Sequence, residues 1–440
     1  MSQPRHVDPV PGPVDATVVV PGSKSVANRA LVCALLAEGA SVLEDVPDGD
    51  DTDAMVDAVS VLGRSVVRDG DVVAIEGSGS RPRTAGAVID ARQAGTVGRF
   101  LAGVLAIGDG PATLDADPQL RERPMGPLFD VLRTLGATVE PAAGAGAPRP
   151  EHLPVVITPP DVIAGGRVEL PGHVSSQFLT ALMLVAPLTV AGLEITLTSP
   201  LVSRPYAELT ARVMAAFGVE VEVGDAMVVV PPGTYADARF AIEPDASSAS
   251  YFWALGAVSG GRCSVADLTR DAWQGDVAVL DVFERMGATV VESGVSTAVE
   301  GPPVGDLRAV DVDLSDISDT APTVAAVAAV ASGTSRLRGI GFIRGKESDR
   351  IGAVVDLLAA AGVEAREHED GLDIVGRAGR AAGGRVAVHD DHRLAMSAAV
   401  LGAASVDGVT VDRPECVAKT FPTFWKLWDR VTRTARLPGV

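Results

Sequence analysis

Lys24 and Arg29 stand among small hydroxyl residues in the stretch PGSKSVANRA, residues 21–30, directly before the apolar run ALVCALL. A helix N-terminus already carries partial positive charge, and stability would favour Asp or Glu beside it. Cations added there suit an anionic ligand. The arrangement recurs along the chain: Arg99 in AGTVGR, Arg123 in LRERPMG, Arg204 in LVSRPY, Lys346 and Arg350 in RGKESDR, Arg393 in DDHR and Lys419 in CVAKTFP. Any one arginine reads as a solvated surface charge. Repeated placement at the polar starts of apolar runs points instead to a ligand with more than one phosphate or carboxylate.

Hydroxyls and amides accompany these charges at Ser23, Ser25, Ser175, Ser176, Gln177 and Ser203. The triplet Ser175-Ser176-Gln177 offers more donors than a helix cap needs, whereas Ser247 and Ser248 read equally well as caps. Proton-transfer candidates are Asp319 in DISDTAP, Glu347 in RGKESDR, and Lys24. Each carboxylate has a second reading, as a helix-dipole partner or one half of a surface ion pair. Facing an anion in a closed site, desolvation and neighbouring cations would tune them for acid and base work. Spacing alone does not choose.

Composition sets the bounds. At 440 residues the chain is long enough for two domains. It is 47% apolar and only 4% aromatic, so its cores must be built from Val, Ala and Leu. The charge of 37 minus 57, or -20, argues against general binding to nucleic acid or to an anionic membrane, and it makes any basic cluster conspicuous. Cys33, Cys263 and Cys416 are far apart and odd in number, as expected for reduced thiols in a cytoplasmic protein. The start MSQPRHVDPVPGP has no apolar signal core, and no run approaches the length of a membrane span. The 6 histidines show no zinc-site spacing, so no metal is expected.

The elements that must position these residues repeat. A polar start followed by an Ala-rich apolar run occurs at 22–36, 92–106, 172–186, 244–258, 318–332 and 390–404. The spacing is about 70–80 residues. A second signature, an amphipathic helix ending in Gly before a β-branched strand, occurs as VLGRSVV, TLGATVE, AFGVEVEV, RMGATVV and AAGVEAR. The sixth copy ends instead in the aromatic segment FPTFWKLWDRV. Each unit reads as βαβαββ with a first helix too apolar to face water. The expected fold is therefore α/β, with two similar domains of three units each and the apolar helices inside. The Pro- and Gly-rich segment near 240 marks the boundary, giving domains 23–242 and 1–22 with 243–440, and the active site is expected in the cleft between them. The strand at 16–20 is expected to pair with the sixth unit.

Taken together and in order, PGSKSVANRA, AGTVGR, ERPMG, HVSSQFLTAL, LVSRPY, EPDASSASYF, KESDR, DDHR and CVAKTFP resemble the 5-enolpyruvylshikimate-3-phosphate synthase family over nearly the whole chain. The resemblance implies an inverse α/β barrel fold and transfer of the enolpyruvyl group of phosphoenolpyruvate to the 5-hydroxyl of shikimate 3-phosphate, with release of phosphate. It implies that Lys24, Ser25, Arg29, Ser175, Ser176, Gln177, Ser203, Asp319 and Lys346 bind shikimate 3-phosphate. It assigns phosphoenolpyruvate to Lys24, Gly95, Thr96, Arg123, Gln177, Arg350, Arg393 and Lys419. Asp319 would be the base and Glu347 the proton donor to carbon, with Lys24 as donor or as stabiliser of the departing phosphate. No cofactor is implied, because phosphoenolpyruvate carries its own activated enol, and the protein is expected to act as a monomer.

The sequence departs from the family pattern at three places. Gln93 stands where Asn usually precedes AGT, Phe100 where Pro usually follows the arginine, and Phe342 where many members have an Asn near the substrate. Phe342 cannot donate that hydrogen bond, and Gln93 and Phe100 leave sensitivity to glyphosate open. The UDP-N-acetylglucosamine enolpyruvyl transferases share the fold and the donor, but they carry a loop Cys that GDGPATLDADPQLRERPMG lacks. A noncatalytic anion-binding protein is the other alternative; it would require damage at Lys24, Asp319 or Glu347, and all three are present.

Overall fold

The apolar runs fold as helices whose whole circumference is covered. In the computed structural model, which describes residues 3–79, 81–142 and 149–435, they form Lys24–Leu36, Gly95–Ala106, Ser176–Val185, Ala246–Ser259, Ala321–Ala328 and His392–Ala403. Every residue of Gly95–Ala106 and of Ala246–Ser259 is buried, which an amphipathic surface helix would not allow. The chain divides into two compact units, 22–242 and 1–21 with 243–440.

In the unit 22–242 the first three of these helices touch one another. Gly103 shows how closely: a Cβ there would lie 2.7 Å from the backbone oxygen of Ala181 on Ser176–Val185. Around them stand three four-stranded sheets. Each places a short first strand parallel to a second and completes the sheet with an antiparallel hairpin, as in Val88–Asp90 beside Ala112–Asp115. In the other unit Ala246–Ser259, Ala321–Ala328 and His392–Ala403 also pack pairwise, inside two four-stranded sheets and one of three strands. Its core is finished by the aromatic tail, where Phe424 and Trp428 lie 5.5 Å apart and both contact Phe252.

The second signature has one backbone cause. Gly63, Gly136, Gly218, Gly287 and Gly362 all have positive φ, from 74° to 102°, which turns each amphipathic helix sharply into the following strand.

The strand at the N-terminal end corrects an expectation. Asp15–Val18 pairs parallel with Arg262–Val265, in the fourth repeat, and Arg5–Val7 supplies the antiparallel third strand of the sixth repeat. Arg262 N donates to Val14 O at 2.7 Å and Ala266 N to Val18 O at 2.9 Å, fixing that register. The first repeat receives its own missing first strand, Arg239–Ala241, parallel to Glu38–Glu44, from the end of the third. The leading strands of repeats one and four are thus exchanged where the chain passes between units.

Candidate active site

Each unit gathers charged side chains at the N-terminal ends of its interior helices. In the unit 22–242, Ser23 lies in extended backbone before Lys24–Leu36 and makes no side-chain cap, and Ala94 before Gly95–Ala106 has no side chain able to make one. The first-turn N–H groups of both helices are therefore left for other partners. Only Ser175 caps, accepting from Gln177 N at 3.3 Å.

Lys24 Nζ meets Asp51 Oδ2 at 3.0 Å, with the carboxylate buried in the first turn of Asp50–Val61. Asn28, one turn on, donates from Nδ2 to Thr96 Oγ1 at 2.7 Å and ties the first interior helix to the start of the second. Around Gly95 three polar groups converge: a Cβ there would be 2.4 Å from Arg99 Nη1, 3.3 Å from Gln177 Oε1 and 3.4 Å from Arg123 Nη1. Arg99 Nη1 donates to Gln177 Oε1 at 3.2 Å. Gly95 is what leaves room for that meeting. Ser176 and Ser203 are both buried, Ser203 with a φ of 52°.

Arg29 sits deeper than its neighbours. Its Nε donates to Thr210 Oγ1 at 2.8 Å, Nη1 to Ser25 O at 2.7 Å, and Nη2 to Thr180 Oγ1 and Tyr206 O at 3.3 Å. The guanidinium lies 5.2 Å from the centroid of Phe100, the ring that replaces the usual proline. Burial pushes its pKa down to about 10, against the opposing pull of Tyr206 and Cys33. Arg204 does not join the group: it bonds Glu208, Asp225 and the carbonyls of Val223 and Gly224.

In the unit containing 243–440, carboxylates and guanidinium groups interlock. Arg350, 1% exposed, donates from Nε to Asp391 Oδ2 at 2.8 Å, from Nη1 to Asp319 Oδ1 at 3.0 Å and from Nη2 to Glu347 Oε2 at 2.6 Å. Arg393 Nη2 donates to the other oxygen of Asp319 at 2.7 Å, and Lys419 Nζ stands 3.6 Å from Glu347 Oε1. Asp391 also caps His392–Ala403, accepting from Arg393 N at 3.0 Å. Asp319, Glu347, Arg350, Arg393 and Lys419 thus come together in one cluster. Lys346 precedes Glu347 directly and is half-buried.

Behind this cluster Asp276, 3% exposed, accepts from Ser247 Oγ. Burial and then the charge of Asp319 push its carboxyl up to about 6. Ser248 is not a cap; its N–H is held by the side chain of Asp245 at 2.6 Å. Tyr251 is fully buried, and burial raises its hydroxyl pKa despite the nearby Arg393 and Arg350.

The two clusters differ in charge. Lys24, Arg29, Arg99 and Arg123 stand with the carboxylate Asp51, a balance that attracts anions. In the other unit the cations are matched by Asp319, Glu347 and Asp391, an arrangement suited to holding and moving protons. Asp51, Asp276 and Asp391 escaped the sequence reading because acids at helix starts look like caps or dipole partners. Asp391 is in fact both a cap and a ligand of Arg350.

Comparison with known proteins gives one answer throughout. The family described as EPSP synthase (3-phosphoshikimate 1-carboxyvinyltransferase) matches residues 9–428. The chain is 39% identical over 422 residues to the 3-phosphoshikimate 1-carboxyvinyltransferase of Nostoc punctiforme, covering 94% of this chain and 95% of that protein. It is also 39% identical over 428 residues to the protein of that name from Citrobacter koseri, covering 96% and 97%. The solved EPSP synthase of Acinetobacter baumannii superposes with a TM-score of 0.81 at 26% identity, over 98% of both chains.

Proposed function

From the premise that the chain belongs to the EPSP synthase (3-phosphoshikimate 1-carboxyvinyltransferase) family, we propose that its two charged clusters together carry out transfer of the enolpyruvyl group of phosphoenolpyruvate to the 5-hydroxyl of shikimate 3-phosphate. The observation that supports this most is Asp319, held through both oxygens by Arg350 and Arg393 next to Glu347. A base and an acid stand there among cations.

Both substrates are small polyanions. Lys24, Ser25, Arg29, Ser175, Ser176, Gln177, Ser203 and Lys346 bind shikimate 3-phosphate. Lys24, Gly95, Thr96, Arg123, Gln177, Arg350, Arg393 and Lys419 bind phosphoenolpyruvate. Arginine at neutral pH does not give up its proton, so these groups act by position and charge.

The chemistry is addition followed by elimination. Glu347 gives a proton to the methylene carbon of phosphoenolpyruvate, making the adjacent carbon cationic, and Asp319 takes the proton of the 5-hydroxyl as its oxygen attacks there. The product of addition is a tetrahedral ketal phosphate. Glu347, left ionised by the first step, takes a proton back from the methyl carbon as phosphate departs, stabilised by Lys24, and the double bond is restored. Phe342 supplies no side-chain hydrogen bond to the acceptor.

A monomer is the proposed working unit, and light scattering tests it. No helix among the described residues is long and apolar enough to cross a membrane. Cys33 and Cys263 are buried free thiols, which supports a cytoplasmic location. Steady-state phosphate release tests the assignment of roles. Asp319→Asn and Glu347→Gln should each lower kcat by roughly 10²–10⁴, and Lys24→Met should also weaken binding of both substrates in calorimetric titration. Full turnover in Asp319→Asn would refute the base.

A further inference from the structure

Asp276 takes no part in the steps above, yet its place is tightly built. It lies on the short turn Gly275–Ala278. Gln274 donates from Nε2 to Pro244 O at 2.7 Å and to Glu243 Oε2 at 3.2 Å, and accepts from Ala246 N at 3.1 Å. These bonds fix the turn against the start of Ala246–Ser259, where Ser247 Oγ donates to Asp276 Oδ2.

Charged and titratable groups surround it from each packed element. Asp245 caps Ala246–Ser259 and Tyr251 lies one turn further along; Asp319 is on the turn Ser318–Thr320, which packs against Gly275–Ala278; Arg393 comes from His392–Ala403. The following helix, Val279–Arg285, sends Asp281 and Glu284 to Arg270 and Arg285 to Asp311 O. Asp319 and Asp245 oppose ionisation of Asp276, while Arg393 and the Ser247 hydroxyl favour it.

We propose that Asp276 is a positioning residue for Asp319, a buried carboxylate whose charge keeps Asp319 basic enough to take the acceptor hydroxyl's proton. The inference rests on the assignment of Asp319 as base. With both oxygens bonded to guanidinium groups, Asp319 alone is a weak base, because each bond favours its ionised form. A second carboxylate offsets that. Coupling between two titrating sites is reciprocal, so the charge that makes Asp276 hard to ionise makes Asp319 easier to protonate by the same factor. Asp276 itself stays out of the proton transfer.

The test is kcat against pH, with thermal melts of every variant. The native protein should lose rate in a step near pH 6 as Asp276 takes up its proton. Asp276→Asn should abolish that step and hold kcat about three- to tenfold below the native plateau, a fraction of what a general base contributes, with both KM values within about twofold. Ser247→Ala keeps the carboxyl but removes the bond that favours its charged form, so the step should move to higher pH. An unchanged plateau and step in folded Asp276→Asn overturns the inference while leaving the base assignment intact. A loss expressed only in KM overturns it also. If Asp276→Asn does not fold, an unmoved step in Ser247→Ala is decisive against it. Native turnover in Asp319→Asn, by contrast, refutes the base assignment itself.

Discussion

Arg350 is the joint of the carboxylate cluster, and its removal gives a measurable electrostatic signature. It is 1% exposed and bonds Asp391, Asp319 and Glu347, whose side chains are 0%, 17% and 8% exposed. In Arg350→Met the guanidinium is replaced by an apolar chain, leaving Asp319 with Arg393, Glu347 with the more distant Lys419, and Asp391 with Ser348 Oγ and Arg393 N. Breaking a buried pair in this way costs about 3–5 kcal/mol. At about 2–4 °C per kcal/mol for a unit of this size, the melting temperature at pH 7.5 should fall by roughly 6–20 °C. Arg350→Lys keeps the charge but loses the planar fork, and should fall between the two. The pH dependence separates this account from simple loss of packing. Without Arg350 the crowded carboxylates bind protons more readily in the folded than in the unfolded chain, so folding gains as pH drops. Calorimetric melts from pH 7.5 to 5 should therefore show the deficit of Arg350→Met shrinking toward acid. A deficit equal at both ends, or absent at pH 7.5, would mean that Arg350 does not hold these carboxylates in their ionised form.

Gly95→Ala should drive Arg99 away from Gln177, since the new methyl would lie 2.4 Å from Arg99 Nη1; the KM for phosphoenolpyruvate should rise about tenfold, with the melting temperature nearly unchanged because the displaced atom ends a flexible side chain. Gly103→Ala meets rigid backbone instead, at 2.7 Å from Ala181 O, and should cost about 1–3 kcal/mol by chemical denaturation. Asp276→Asn should stabilise the fold at neutral pH. A folded carboxyl raised from 3.8 to about 6 favours folding below its unfolded pKa and loses that contribution as pH rises through the folded value. Removing it should therefore gain on the order of 3 kcal/mol at pH 7.5 and almost nothing once the pH is well below the unfolded value; a gain independent of pH would contradict the assignment.

Much of the fold is legible in the sequence because each repeat states its own local structure. Six apolar runs with polar starts can only be interior helices, and the glycine that ends each amphipathic helix needs the positive φ it adopts at Gly63, Gly136, Gly218, Gly287 and Gly362. Strand partners are a different matter. Asp15–Val18 and Arg239–Ala241 look like strands, but nothing in four or three residues says which distant edge they complete. The cations were legible by type and placement, apart from Arg204, whose partners lie in its own helix and in the hairpin beyond it. The carboxylates that hold the cations, Asp51 on Lys24 and Asp391 on Arg350, were not. Their partners lie 27 and 41 positions away, and only folding brings them together.

Transfer of an enolpyruvyl group to shikimate 3-phosphate is read from phosphate release, measured with phosphoenolpyruvate and either shikimate 3-phosphate or UDP-N-acetylglucosamine. Rapid release with shikimate 3-phosphate and none with the nucleotide sugar is predicted; release with the nucleotide sugar alone, or with neither acceptor, would contradict it.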